Sequence, residues 1–176
     1  MDFVAFEKIA RLNREVVITE KIDGTNGVVA VLDDGTVLAG SRSRWITPAD
    51  DHFGFARWVK EREDELRVGL GLGVHYGEWW GAGIQRRYGL TEKRFSLFNV
   101  HQWKDGAPPH CHVVPVLARG VGVDALVASA LDRLRTEGSV AAPGFMKPEG
   151  VVVFHTAARS LFKVTLEKDD APKGGA

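Results

Sequence analysis

Cysteine is almost absent from this sequence: Cys111 stands alone among 176 residues, so no internal disulfide can form. No apolar run approaches the roughly 18 residues of a membrane span, and no basic and then apolar leader opens the chain. Charge of one sign is also lacking, since 23 basic residues balance 23 acidic ones. A nucleic-acid partner would therefore need a local basic patch. We expect a cytoplasmic protein that makes no contact with membranes.

The apolar pattern predicts short strands with a few helices. An Asp-Gly turn at Asp34-Gly35 predicts a hairpin between Val28–Leu32 and Val37–Gly40. Apolar residues spaced by three, four and seven predict an amphipathic helix between Asp51 and Arg67. A second helix is predicted over Val123–Arg135, and the further predicted strands are Gly73–Gly81, Arg94–Val100, Gly150–Phe154 and Ser160–Thr165. This pattern is typical of the α+β class with mostly antiparallel sheets.

The domain organisation follows from length and composition. A chain of this length is most simply one domain, here residues 1–168. Residues 169–176 have almost nothing to bury and are predicted to form a flexible tail.

The segment Thr19–Gly27, TEKIDGTNG, is the most informative in the chain. It follows the apolar run Val16–Ile18, so a buried strand delivers Lys21 to a turn flanked by glycines. Asp23 adds an acceptor and Asn26 an amide beside the amine. These surroundings are typical of a nucleophile. No Gly-rich loop followed by Lys-Ser or Lys-Thr is present, which excludes the phosphate cradle of ordinary ATPases.

Attack on a phosphorus atom by lysine sets requirements on the rest of the sequence. The amine must be neutral, although a free lysine with a pKa of about 10.4 is almost fully protonated at pH 7. A second cation nearby would disfavour the ammonium form, and Lys163, on an apolar strand, is the candidate. Carboxylates are needed for a divalent cation and for ribose hydroxyls, and Glu78 and Glu149 are the candidates.

Five segments in this order resemble the motifs of the covalent nucleotidyltransferases, and TEKIDGTNG resembles the RNA ligase 2 branch of that superfamily. The segments are Thr19–Gly27 with its K-x-D-G, Tyr76–Trp79, Phe95–Val100, Lys147–Val153 and Leu161–Val164. They span residues 19–165, nearly the whole chain. The resemblance implies a ligase adenylation domain, with antiparallel sheets flanked by helices and the nucleotide in the groove between them.

The resemblance also implies roles for individual residues. Lys21 would form a covalent bond to AMP, Glu149 would work at the metal and phosphates, and Lys163 would contact the α-phosphate. The other implied nucleotide contacts are Glu20 and Ile22 beside the base, Asn26 and Arg42 near the phosphates, Glu78 at the ribose and Phe98 stacked on the purine. The implied cofactors are ATP and Mg²⁺ or Mn²⁺. The implied substrate is RNA with 5′-phosphate and 3′-hydroxyl ends.

The sequence departs from the family pattern in three ways. Thr165 stands where the fifth motif commonly has a second lysine, and Asn99 replaces an aspartate. No appended domain that grips nucleic acid follows the fifth motif, so a helper protein could supply that grip. The alternatives are a DNA ligase, a capping-type enzyme that uses GTP, and a nucleotide- or RNA-binding module without catalysis.

Pattern alone leaves several assignments open. Phe98 could stack on a base or pack in the core, and either Arg42 or Arg44 could be the phosphate contact. The basic loop from Arg86 to Arg94 could contact RNA phosphates or simply be solvated. A zinc site at His110–His112 is disfavoured, because adjacent strand residues point to opposite faces and no second ligand pair accompanies them.

Overall fold

Ten strands and three helices are found in the computed structural model, which describes residues 1–167. The strands are β1 (Val16–Lys21), β2 (Thr25–Val31), β3 (Val37–Gly40), β4 (Trp45–Ile46), β5 (Gly73–Gly81), β6 (Lys93–Leu97), β7 (Cys111–Val113), β8 (Val116–Gly120), β9 (Gly150–His155) and β10 (Ser160–Thr165). The helices are α1 (Phe55–Glu61), α2 (Glu63–Leu70) and α3 (Val123–Glu137). The predicted tail, residues 169–176, lies outside the described residues.

The strands form two sheets. The four-stranded sheet has the order β10-β9-β1-β8, and the six-stranded sheet has the order β4-β3-β2-β5-β6-β7. Within the described part of the chain, the named strands pair antiparallel except for β6 and β7, which are parallel. This confirms the predicted α+β class with mostly antiparallel sheets.

Each sheet buries one face against helices. Helix α3 covers the four-stranded sheet through a core that includes Ile18, Leu134 and Val151. Helices α1 and α2 cover the six-stranded sheet through a core that includes Phe55, Leu66 and Phe95. Side chains alternate along a strand, so every second residue lies on the opposite, helix-free face. A third apolar cluster lies where the two sheets meet and contains Ile22, Trp80, Tyr88, Val114 and Ala142.

Local patterns account for most of the elements. The predicted hairpin is present as β2 and β3, with Gly35 in the turn at φ +83°. The helix predicted between Asp51 and Arg67 is instead two helices, because the backbone leaves helical angles at Arg62. Three acidic residues then begin α2, and negative charge favours a new helix N-terminus.

Three short strands were not predicted: β4, β7 and β8. Strands β7 and β8 are separated only by Val114 and Pro115, where the chain passes from the six-stranded sheet to the four-stranded one. Short strands next to proline carry little periodic signal. None of the helices within residues 1–167 is long and apolar enough to cross a membrane.

The chain also changes sheets between β1 and β2, and this crossing positions the predicted nucleophile. Lys21 is the last residue of β1 in one sheet, and Thr25 is the first residue of β2 in the other. The TEKIDGTNG segment therefore lies at the junction of the two sheets.

Candidate active site

Lys21 and Glu149 meet at this junction. Lys21 pairs with Gly150 in the β1–β9 register, which brings Glu149, the residue before β9, next to it. The Lys21 Nζ donates to Glu149 Oε2 at 2.6 Å, and the two side chains are 23% and 16% exposed. The salt bridge is thus partly exposed, and a ligand that reaches the junction could compete for either partner.

Glu78 approaches the same junction from the six-stranded sheet. Its Oε1 accepts a hydrogen bond from the Gly24 amide at 3.0 Å, and it pairs with Asn26 in the β2–β5 register. Burial raises the pKa of Glu78 to about 7, although the nearby charge of Lys21 acts in the opposite direction. This carboxyl group therefore changes its charge close to neutral pH.

Glycine is required at position 24 by packing. A Cβ added to Gly24 would lie 2.5 Å from the Trp79 carbonyl oxygen and 2.7 Å from Trp80 Cβ. The absent side chain lets the turn after Lys21 lie directly on β5. Gly24 thus allows two backbone segments to approach each other closely.

The side chains of Glu20 and Ile22 point away from Lys21. Glu20 is 1% exposed and lies on the α3 side of the sheet, where it accepts from Ser139 Oγ at 2.5 Å and from the Val140 and Ala141 amides. Burial raises the pKa of Glu20, and these hydrogen bonds oppose the rise. Ile22 is buried in the cluster at the junction. A contact of either residue with a base would have to come from its backbone.

Phe98 lies on the helix-free face of the six-stranded sheet. Its amide donates to the Tyr76 carbonyl at 2.9 Å, just beyond β6, and its ring is 40% exposed. The register sets Phe98 on the same face as Glu78. The alternative of pure core packing for Phe98 is therefore wrong, and stacking on a base stays a prediction.

Lys163 lies on β10, at the edge of the four-stranded sheet. It pairs with Val152, which pairs with Thr19, so Lys163 is on the same face as Lys21 but two strands across and two residues along the sheet, about 12 Å away. Its side chain is exposed, so the expectation that it stands at a costly apolar position is wrong. Thr165 pairs with Gly150, which pairs with Lys21, so Thr165 and not Lys163 lies directly across the sheet from Lys21.

Arg42 and Arg44 follow β3 in a bend and do not belong to a strand. Arg44 pairs with Asp50 through two hydrogen bonds on the surface. Arg42 is exposed two residues beyond Gly40, which pairs with Val28. Of the two, Arg42 is the one whose charge is available to a ligand.

Arg86 belongs to the site although its position was not predicted. Its Nε donates to Asp23 Oδ2 at 2.9 Å and its Nη1 to the Lys147 carbonyl at 3.1 Å. The Asp23 amide donates to the Tyr88 hydroxyl at 2.7 Å. These partners are more than sixty positions apart in sequence, so no local spacing could have revealed them. The basic loop is therefore not simply solvated, since one of its arginines turns inward.

The donor set is incomplete for a metal ion held by protein alone. Among residues 1–167, no group of three or more His, Cys, Asp or Glu side chains is arranged to hold one. In the segment His110–His112, His110 pairs with Glu65 and Cys111 is buried in the core, where burial raises the pKa of its thiol to about 12. Magnesium commonly uses one or two carboxylates together with substrate phosphates, and Glu149 fits that pattern.

The family is settled by a match over most of the chain. The RNA ligase family model matches residues 14–165, which include Lys21, Glu78, Glu149 and Lys163. The chain belongs to the RNA ligase family. No curated protein matches it closely enough to count as a relative.

Solved structures of an RNA ligase have the same fold. A mutant of the Naegleria gruberi RNA ligase with ATP and manganese has a TM-score of 0.63 and 19% identity, over 89% of this chain and 51% of that one. A second mutant, also with ATP and manganese, has a TM-score of 0.62 and 21% identity, over 91% of this chain and 52% of that one. The chain thus spans about half the length of these ligases, and at such identities the likeness shows the fold alone.

Proposed function

We propose that this chain is the adenylylating domain of an ATP-dependent RNA ligase and that Lys21 forms a covalent bond to AMP. The observation that carries the proposal is the Lys21–Glu149 pair at the junction of two sheets, with Glu78 bound to the adjoining turn. A nucleophile, a carboxylate for a metal and a carboxylate for ribose then lie within one site. Membership of the RNA ligase family supports the same conclusion.

The first step is transfer of AMP to lysine. Neutral Lys21 forms a bond from Nζ to the α-phosphorus of ATP, and the bond from that phosphorus to the β-phosphate oxygen breaks. Pyrophosphate leaves with the electron pair, and the nitrogen loses one proton to give the phosphoramidate. Lys21 has to lose one proton and separate from Glu149 before this attack, because an ammonium group has no lone pair.

Glu149 is the proposed carboxylate ligand of Mg²⁺ or Mn²⁺, together with phosphate oxygens of the nucleotide. When bound, the divalent cation neutralises the charge that builds up on the leaving pyrophosphate. The pairing of Glu149 with Lys21 in the structure is compatible with this role, since a carboxylate that balances a lysine charge can balance another cation.

The remaining contacts would hold the nucleotide in the groove between the helix-free faces. Phe98 stacks on the purine, Glu78 accepts hydrogen bonds from the ribose, and the backbone of Glu20 and Ile22 lies beside the base. Asn26, Arg42 and Lys163 contact the phosphates. The exposure of Phe98, Arg42 and Lys163 supports these roles, because each side chain is available to a ligand.

The later steps act on RNA. AMP passes from Lys21 to an RNA 5′-phosphate, and a 3′-hydroxyl then displaces AMP to seal the strand. A helper protein could supply further grip on the RNA, and the enzyme would work in the cytoplasm.

Intact-mass spectrometry after incubation with Mg-ATP tests the proposal. We expect wild-type protein to gain the mass of one adenylate and Lys21→Ala to gain none, with no adduct from GTP. Lys60→Ala is the matched control, since Lys60 is an exposed lysine on α1 and its loss should leave the adduct unchanged. Equal labelling of wild type and Lys21→Ala would reject the proposal. Incubation of the adenylylated protein with nicked RNA and nicked DNA then tests the preference for RNA.

A further inference from the structure

We propose that Arg86 is a positioning residue for lysine adenylylation, which holds the turn that follows Lys21 against the segment that precedes Glu149. The inference rests on the proposed function and adds a residue to it. The family motifs described above do not include Arg86, and its charge does not touch Lys21 or Glu149 directly.

The two partners of Arg86 are each two residues away in sequence from Lys21 or Glu149. Asp23, which accepts from Nε at 2.9 Å, comes two residues after Lys21. Lys147, whose carbonyl accepts from Nη1 at 3.1 Å, comes two residues before Glu149. One guanidinium group therefore links the two segments whose side chains meet at 2.6 Å.

The loop that presents Arg86 is itself anchored. It joins β5 to β6, and Tyr88 within it is 3% exposed. The Tyr88 ring packs against Trp80 and Phe145 with centroids 4.9 and 4.7 Å away, and its hydroxyl accepts from the Asp23 amide. Arg86 thus extends from a packed support and not from a free surface loop.

The backbone of this loop is held in an unfavourable conformation. Gln85, Arg87 and Tyr88 have φ angles of +42°, +59° and +51°, which residues other than glycine seldom adopt. Such angles persist only where the surroundings impose them, and they cluster at functional sites. The strain is consistent with a loop shaped to deliver Arg86 to Asp23 and Lys147.

Arginine suits this position better than lysine. The guanidinium group is planar and has donors pointing in several directions, so it can serve a carboxylate and a carbonyl group at once. A lysine would keep the charge but would lack the second, fixed donor. The two substitutions therefore separate charge from geometry.

The consequence of losing Arg86 should be kinetic. Without the link, the turn and the Glu149 segment can shift relative to each other, and a displacement of about 1 Å can cost on the order of 100-fold in rate. The nucleotide contacts proposed above do not involve Arg86, so the ATP concentration for half-maximal rate should change little.

Single-turnover formation of the lysine adduct, measured over a range of Mg-ATP concentrations, tests this inference in the full chain. For Arg86→Ala we expect a maximal rate lower by roughly 30- to 100-fold, with half-saturation within about threefold of wild type. Arg86→Lys should recover part of the rate. Arg87→Ala is the matched control, because Arg87 is the adjacent, exposed arginine and should behave as wild type when no RNA is present.

Each result bears on a different claim. An unchanged maximal rate in Arg86→Ala would overturn the inference, as would a loss confined to half-saturation, which would make Arg86 a nucleotide contact. If Arg86→Ala does not fold, Arg86→Lys decides, since full activity in that variant would also overturn it. If wild type forms no adduct, the proposed function fails and this inference falls with it. A wild-type adduct with an unaffected Arg86→Ala removes this inference alone.

Discussion

Glu20 and Lys21 are neighbours on β1, yet they occupy contrasting regions on the two faces of one sheet. Glu20, on the side covered by α3, is 1% exposed and accepts three hydrogen bonds from Ser139, Val140 and Ala141. Lys21, on the helix-free face, has a side chain that is 23% exposed, and its Nζ has one hydrogen-bond partner within residues 1–167, Glu149. On the covered face, the charge of Glu20 holds β1 against the segment after α3. On the open face, Lys21 and Glu149 can exchange each other for a ligand.

This difference follows from what each region has to do. A buried carboxylate is stable only if its lone pairs are satisfied, so Glu20 cannot leave its partners without a large cost. A partly exposed salt bridge contributes little net stability, so Lys21 and Glu149 can separate when a ligand arrives. Substitutions on the two faces should therefore affect different measurements.

The largest effect is expected on the open face, for Glu149→Ala. Loss of this carboxylate should reduce formation of the lysine adduct by on the order of 100-fold or more, because it removes the proposed ligand of the metal ion. The melting temperature should stay close to that of wild type, since the Lys21–Glu149 pair is partly exposed. Adduct yield by intact mass and thermal unfolding are the two measurements.

The control for this experiment is Glu7→Ala, which removes an exposed glutamate far outside the five motifs. Full adduct formation in Glu149→Ala would show that Glu149 is only a salt-bridge partner. A large drop in melting temperature would instead mean that the open face is as structural as the covered one.

The second effect concerns the covered face, for Glu20→Gln. Both carboxylate oxygens of Glu20 accept hydrogen bonds, whereas the NH₂ group of glutamine cannot accept one. At least one donor would therefore lose its partner, and we expect the free energy of unfolding to fall by about 1–3 kcal/mol. Below the melting transition the protein should still form the lysine adduct. Urea unfolding gives the free energy, and adduct yield at low temperature gives the activity.

Ser139→Ala provides the matched comparison, because it removes one donor from the same carboxylate. The double variant should be less destabilised than the sum of the two single variants, since they break a shared contact. If Glu20→Gln abolished the adduct without loss of stability, Glu20 would belong with Lys21 in the reaction, and the contrast between the faces would be lost.

Sequence patterns predict the positions of Glu20 and Lys21 but not all of their contacts. Alternation along β1 places Glu20 and Lys21 on opposite faces, and the apolar run Val16–Ile18 predicts a buried strand. The order of the motifs brought Lys21, Glu78 and Glu149 into one site, as the structure does. The resemblance to the family motifs therefore predicted which side chains lie together, and their chemical roles stay predictions.

Long-range contacts and unusual backbone angles could not be predicted in this way. Arg86 is 63 and 61 positions from its partners, and the loop around it has positive φ angles at residues whose sequence gives no such signal. The partners of Glu20, at residues 139–141, are still more distant, at 119 to 121 positions in sequence. Periodicity identifies a face, but only tertiary packing decides which distant segment lies against it.

The smallest effect concerns Glu78, whose environment combines features of both faces. Its pKa is raised to about 7 by burial, while it shares the site with the charges of Lys21, Glu149 and Asp23. In the unfolded chain the pKa of a glutamate is near its ordinary value of 4.5. Between these two values the folded protein retains a proton that the unfolded chain has lost, so stability falls as pH rises through this range and levels off above about 7.

Glu78→Gln should remove this contribution, because glutamine stays neutral at every pH. We expect the melting temperature of the variant to rise relative to that of wild type between pH 5 and pH 8. The other titrating groups, Glu20 included, contribute equally in both proteins. Thermal unfolding of the two proteins at matched ionic strength measures the difference. A constant difference between the two melting temperatures at every pH would place Glu78 with the solvated charges of the open face. A difference that grows up to about pH 7 and is constant above it would show that folding keeps this carboxyl group protonated until neutral pH, where it ionises beside Lys21.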